Sequence, residues 1–176
     1  MDSHPGKIAR QRIFWLMVLV LVGFISAMIM EQYAFQLQAV VALVFFIPLL
    51  SGSGGNAGTQ SSTVVIRGLS TGEIEMRDLL KVLRKEMATG IFLGVGMGIL
   101  AAIRAVILNK DYLLAVTVGI AMIVTVLVAT TLGAVLPIMF KKLKLDPALM
   151  SGPVITSIVD IVSIFVYLQI AVYMFR

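Results

Sequence analysis

From Ile13 onward the chain alternates long apolar runs with short polar ones. At about 20 residues per membrane crossing, the runs divide into five spans: Ile13 to Met30, Leu37 to Ile66, Ala88 to Leu108, Leu113 to Phe140 and Gly152 to Phe175. This pattern predicts an all-α membrane protein, with residues 1–12 forming a polar tail and residues 13–176 a five-helix membrane domain. The first run has no small-residue cleavage site leading into a polar domain, so it reads as a retained signal anchor.

The second span breaks the pattern from within. Its stretch "PLLSGSGGNAGTQSST", Pro48 to Thr63, holds four glycines and a cluster of hydroxyl and amide side chains including Asn56, Thr59, Gln60 and Thr63. Proline removes a backbone donor, and "SGSGGNAG" has little helix propensity. The helix is therefore expected to be interrupted there. Irregular backbone at membrane depth is tolerated only where it is buried in protein or lines a watery cavity, so the expected role of the break is to point free carbonyls at an ion or substrate. The plainer alternative is that the glycines only let neighbouring helices approach. In the third span Gly90, Gly94 and Gly98 recur every fourth residue, and there close packing is the expectation.

Charge sets the topology. Eleven basic residues fall on one side of the five spans, in the tail (Lys7, Arg10, Arg12), after span two (Arg67, Arg77, Lys81, Arg84, Lys85) and after span four (Lys141, Lys142, Lys144). Three, Arg104, Lys110 and Arg176, fall on the other. The positive-inside rule then places the N-terminus in the cytoplasm and the C-terminus outside the plasma (inner) membrane. The segment "RGLSTGEIEMRDLLKVLRKEM" alternates charge signs at helical spacing and is expected to form a short interfacial helix leading into span three.

Composition agrees with a bilayer as solvent: 60% of residues are hydrophobic and 13% charged, with a mean hydropathy of +1.05. The net charge of +5 would suggest nucleic acid in a soluble protein, but here the basic residues lie between apolar spans and serve as topology signals. There is no cysteine, and the single histidine, His4, lies in the tail. Thiolate and histidine metal sites and cysteine nucleophiles are thereby set aside.

One acidic residue lies deep in a span. Asp160, in "SGPVITSIVDIVSIFVY", falls 8 residues into span five, about 12 Å along a helix. Intramembrane carboxylates are costly and mark ion pathways by default. Gly152, Thr156, Asp160 and Ser163 share one helix face, and no Lys, Arg or His lies deep in another span to pair with the acid. A carboxylate opposite a carbonyl-rich break makes an all-oxygen cation site, suited to a hard divalent ion. These donors do not separate Mg²⁺ from Ca²⁺ or Mn²⁺. Five spans and one carboxylate are little with which to enclose a pore, whereas a symmetric homodimer would bring two Asp160 residues to a shared axis. Moving a charge of +2 inward at −100 mV releases about 4.6 kcal/mol, so a passive channel needs no further energy source.

The runs "FIPLLSGSGGNAGTQSSTVVIRGLSTGEI", "RKEMATGIFLG" and "LDPALMSGPVITSIVDIVSIFVYLQIA" resemble the membrane domain of the MgtE family of bacterial magnesium channels. The resemblance implies a homodimer of five-helix protomers whose pore lies at the interface, lined by the second and fifth helices. It implies that Asp160 is the selectivity carboxylate, binding hydrated Mg²⁺ through its water shell; the donor set itself leaves Mn²⁺, Co²⁺ and Ca²⁺ as further candidate ions. Gly52, Gly55 and Thr156 match positions that offer carbonyls to the ion, and Thr63 matches a pore-lining threonine. Thr59 and Gly152 stand where the family pattern has pore-lining asparagines. Only twelve residues precede the first span, so the family's cytoplasmic N-terminal and CBS domains are not represented, and conduction without cytosolic Mg²⁺ feedback is expected.

Other classes fit less well. An intramembrane serine or aspartyl protease would need a histidine or a second acid at depth, so the chain reads as no enzyme. A Gly-x-Gly-x-x-Ala spacing at Gly52, Gly54 and Ala57 mimics a dinucleotide fingerprint but lacks its strand. The serious competitor is a proton- or sodium-coupled secondary transporter, which also uses broken helices and buried carboxylates. A purely structural membrane protein is the third reading.

Overall fold

The computed structural model describes residues 5–145 and 152–176. His4 and residues 146–151, where the fifth-span motif begins, lie outside them. Six helices follow one another: α1 (Pro5–Gln32), the short α2 (Ala34–Ala39), α3 (Ile47–Thr71), α4 (Leu79–Asn109), α5 (Tyr112–Lys142) and α6 (Pro153–Met174). Four segments of the described chain are long and apolar enough to cross a membrane: Val41–Thr71, Met76–Asn109, Tyr112–Lys142 and Pro153–Met174. The apolar part of α1 is the shorter Leu16–Gln32. That helix also begins eight residues before the predicted first span, inside what the sequence reads as a tail.

The interruption of the second span is present but displaced. The Gly-rich stretch is not unwound: α3 runs as one α-helix from Ile47 to Thr71, straight through Gly52, Gly54, Gly55 and Gly58. The break lies upstream, where α2 ends at Ala39 and a 3₁₀ segment, Val41–Phe46, leads into α3. Pro48 starts the helix, sitting in its first turn where backbone donors have no helical partner in any case. Glycine costs about 1 kcal/mol per helical position in water, but an unpaired peptide group facing lipid costs several. The helix is the cheaper state. Free carbonyls within "SGSGGNAG" are therefore not a feature of the fold.

The glycines serve packing instead. A methyl at Gly54 would come within 2.8 Å of Ser163 Oγ and 2.9 Å of Thr125 Cγ2, and one at Gly58 within 3.2 Å of the Ala129 carbonyl. These close approaches seat α3 on α5 and α6. On α4, Gly94 and Gly98 let the helix lie against Ile123 and the Gly119 carbonyl of α5, as the four-residue spacing predicts.

The main core is where α3, α5 and α6 meet, around Phe46, Leu50, Val118, Met122, Val126, Ile155, Val159 and Tyr167. Helix α1 packs along α6 and buries none of its described side chains. The ends of the spans are fixed locally. Asp111 caps α5 by accepting from Leu114 N at 3.0 Å. The Lys141 ammonium donates to the Leu69 carbonyl at 3.0 Å, near the C-terminus of α3, where the helix dipole favours a cation. Gly72, at φ 78°, turns the chain left-handed out of α3. The predicted interfacial helix is no separate element: after the short 3₁₀ turn Met76–Asp78 its residues form the first turns of α4.

Candidate functional site

Helices α3 and α6 run antiparallel, and their small residues set the distance between them. Along this seam Gly55 faces Thr156 and Asp160: from the place where a Gly55 methyl would sit, Thr156 Cγ2 is 3.5 Å and Asp160 Oδ1 3.7 Å away. The absent side chain leaves the carboxylate room beside the α3 backbone. Asp160 is partly buried, and the Ser51 hydroxyl, one turn from Gly55 on α3, lies near its carboxylate.

Towards the N-terminus of α6 the seam widens into a cavity of about 560 Å³. Its walls are polar for a membrane protein: Asn56, Thr59 and Gln60 from α3 face Gly152, Thr156 and Ser157 from the start of α6. The Thr59 hydroxyl is buried without a hydrogen-bond partner. Thr156 and Ser157 turn their hydroxyls back to their own helix, onto the Gly152 and Pro153 carbonyls at 2.8 to 3.1 Å.

The residues singled out from sequence are thus only partly gathered. Asp160, Gly55 and Thr156 meet across the seam, and Thr59 and Gly152 line the cavity beside them. Gly52 and Thr63 lie on the exposed face of α3, and the Thr63 hydroxyl is bonded to the Thr59 carbonyl at 2.8 Å. Ser163, expected on the same polar stripe as Asp160, is turned into the core against Gly54. Ser51 was not foreseen as a neighbour of the carboxylate. Its signal was available, because Ser51 and Gly55 are one turn apart and so share a face of α3.

An exposed polar strip completes the site. Gly52, Asn56, Gln60 and Thr63 are all exposed on α3, at the i, i+4, i+8, i+11 spacing of one helix face. Among the described residues no three His, Cys, Asp or Glu side chains gather into a cluster. The chemistry available here is one carboxylate among neutral oxygens.

Sequence comparison places the chain among proteins of known kind. Residues 47–170 match the family model described as MgtE, divalent cation transporter. The chain is 41% identical over 170 residues to the magnesium transporter MgtE of Bacillus subtilis and 37% identical to that of Thermus thermophilus. A third relative, the magnesium transporter MgtE of Enterococcus faecalis, is 32% identical. Each alignment covers 97% of this chain and 38% of the relative, so the chain spans well under half the length of the proteins it matches. The matched residues 47–170 contain the whole Gly-rich helix α3 and the Asp160 seam, and on that basis the chain belongs to the MgtE family of divalent cation transporters.

Proposed function

We propose that this chain is the pore unit of a Mg²⁺ channel in the plasma membrane, passing the ion into the cytoplasm down its electrochemical gradient. The observation that carries the reading is the position of Asp160 beside an exposed polar face of α3 in an otherwise apolar protein. Left against lipid, the amides of Asn56 and Gln60 would each cost several kcal/mol. Water and a second copy of the same face relieve that cost together. The pore therefore lies between two protomers, each contributing α3 and α6, with α1 as a fifth crossing and the N-terminus in the cytoplasm.

In this pore Asp160 supplies the negative charge, doubled by the partner. The carbonyls of Gly52, Gly55 and Thr156 and the hydroxyls of Thr59 and Thr63 contact the ion's water shell. Magnesium surrenders water reluctantly, so a site of one carboxylate and neutral acceptors per protomer suits the hydrated ion.

The test is Mg²⁺ uptake into liposomes holding the purified chain under a potassium diffusion potential with equal pH on both sides. Uptake should follow the potential, and Asp160→Asn, which keeps the shape and removes the charge, should lower it about ten- to hundredfold, the worth of a charge-assisted contact. Uptake that ignores the potential and answers to a proton or sodium gradient would make the chain a secondary transporter. An Asp160→Asn protein that transports like wild type would remove the carboxylate from the pathway.

A further inference from the structure

A second amphipathic feature lies away from the Asp160 seam. Between α3, α4 and α5 a groove of about 250 Å³ is lined by Leu49 and Ser53 of α3, Met97, Leu100 and Arg104 of α4, and Met122 of α5. All but Ser53 and the guanidinium are apolar. Leu100, at 68% exposure, stands at the groove's open side.

Arg104 is the charged end of this groove. It lies five residues before Asn109, the last residue of α4, about 8 Å below the helix end. At such a depth a cation ordinarily pairs with an acid or reaches out to water. Among the described residues the one ion pair is Arg77 with Glu75, so Arg104 has no carboxylate. Its guanidinium carbon instead lies 4.9 Å from the ring centroid of Phe46, a fully buried residue. The stacking pins the charge sideways, over the groove. From Arg104 the apolar lining continues seven residues down α4 to Met97, about 10 Å of the roughly 15 Å depth of one hydrocarbon leaflet.

A cation at headgroup depth with an apolar channel leading inward has the outline of a phospholipid. We propose that the α3/α4/α5 groove binds one anionic glycerophospholipid, its phosphate on Arg104 and an acyl chain along Met97, Leu100 and Leu49. On the topology proposed above, the lipid comes from the outer leaflet. An anionic headgroup is favoured over a zwitterionic one because no acid at the groove offers a partner to an ammonium. The bound lipid touches the pore helix itself, since Leu49 and Ser53 belong to α3 and Phe46 is the last residue before it.

The test is native mass spectrometry of the purified chain released from detergent, titrated with phosphatidylglycerol or with phosphatidylcholine. Wild type should retain phosphatidylglycerol at about tenfold lower concentration, as one charge-assisted contact gives. Arg104→Gln should abolish that preference, and Leu100→Trp, which fills an exposed position, should weaken both lipids together. Equal retention of the two lipids by wild type, or an unchanged preference in Arg104→Gln, overturns the proposal. The chain has no cysteine, so Leu100→Cys offers an independent check in vesicles. Disulfide-linked dimers would put a second copy over the groove and likewise overturn the lipid assignment, whereas a thiol that remains monomeric supports it.

Discussion

Replacing Gly133 by alanine tests the conclusion that the Gly-rich face of α3 is a packing surface within a continuous helix. A methyl at Gly133, on α5, would run into the Gly58 carbonyl oxygen and lie 3.0 Å from both the Gly58 carbonyl carbon and Ser61 Cβ. Two of those three atoms are backbone of a hydrogen-bonded helix and cannot rotate away, so α3 and α5 must separate. Overpacking of this kind costs 1–3 kcal/mol. Alanine's better helix propensity returns at most about 1 kcal/mol, and the rigid obstacle places the clash at the upper end of its range. The net loss should be about 2 kcal/mol, roughly a thirtyfold change in the folded to unfolded ratio. Gly96→Ala is the control, because nothing lies within 4 Å of a methyl at this exposed position of α4; it should be neutral or up to about 1 kcal/mol more stable. Unfolding in detergent, followed by helical circular dichroism, ranks the two variants. Equal stabilities, or a Gly96→Ala protein weaker than Gly133→Ala, would refute the packing account.

Two further predictions concern the ends of α3. The Tyr167 hydroxyl donates to the Leu43 carbonyl at 3.0 Å in a fully buried position, tying α6 to the 3₁₀ segment. Tyr167→Phe should cost about 1 kcal/mol and speed amide hydrogen exchange in residues 41–47 more than in α5; uniform exchange rates would refute the tie. Lys141→Ala removes the ammonium from the Leu69 carbonyl and should cost about 0.5–1 kcal/mol, with faster exchange confined to residues 66–72. A Lys141→Arg protein should recover most of the loss, and equal stability of all three proteins would show that the cap contributes nothing.

Much of this architecture can be read from residue order, because membrane helices announce themselves by length and apolarity. The fourth and fifth predicted spans coincide with α5 and α6 to within two residues at each end, whereas α1 and α4 begin eight and nine residues before the predicted first and third spans and the second span differs at its start. The pairing of α4 with α5 through Gly94 and Gly98 is legible for the same reason: only small residues at a four-residue repeat permit it. The position of the break was not legible. Local propensity favours unwinding at "SGSGGNAG", but propensity scales describe competition with water, and in lipid an unbonded peptide has no such partner. Val41 to Phe46, apolar throughout and without a local breaker, carries no sequence signal for a 3₁₀ turn. Its conformation is set by tertiary contacts, with Phe46 and Leu43 buried and Tyr167 holding the Leu43 carbonyl.

The continuity of α3 bears on how a cation could be recognised at Asp160. In a regular helix each carbonyl already accepts one backbone hydrogen bond, leaving a single lone pair that can receive a proton from outside. Stripping the water from a divalent ion requires several oxygens free to approach it at about 2.0–2.6 Å, and the helix around Gly52 and Gly55 does not offer them. Water molecules bound to the ion can still donate to those second lone pairs and to the Asp160 carboxylate. On the proposed reading, then, an intact helix favours outer-shell recognition of a strongly hydrated ion, and discrimination rests on the size and charge of the hydrated species. Discrimination should therefore follow hydration: wild-type flux of Mg²⁺ should exceed that of Ca²⁺ in the liposome assay, and Asp160→Asn should narrow the difference. A wild type that passes Ca²⁺ as readily as Mg²⁺ would mean that the ion sheds its water, and would require α3 to unwind in the conducting state.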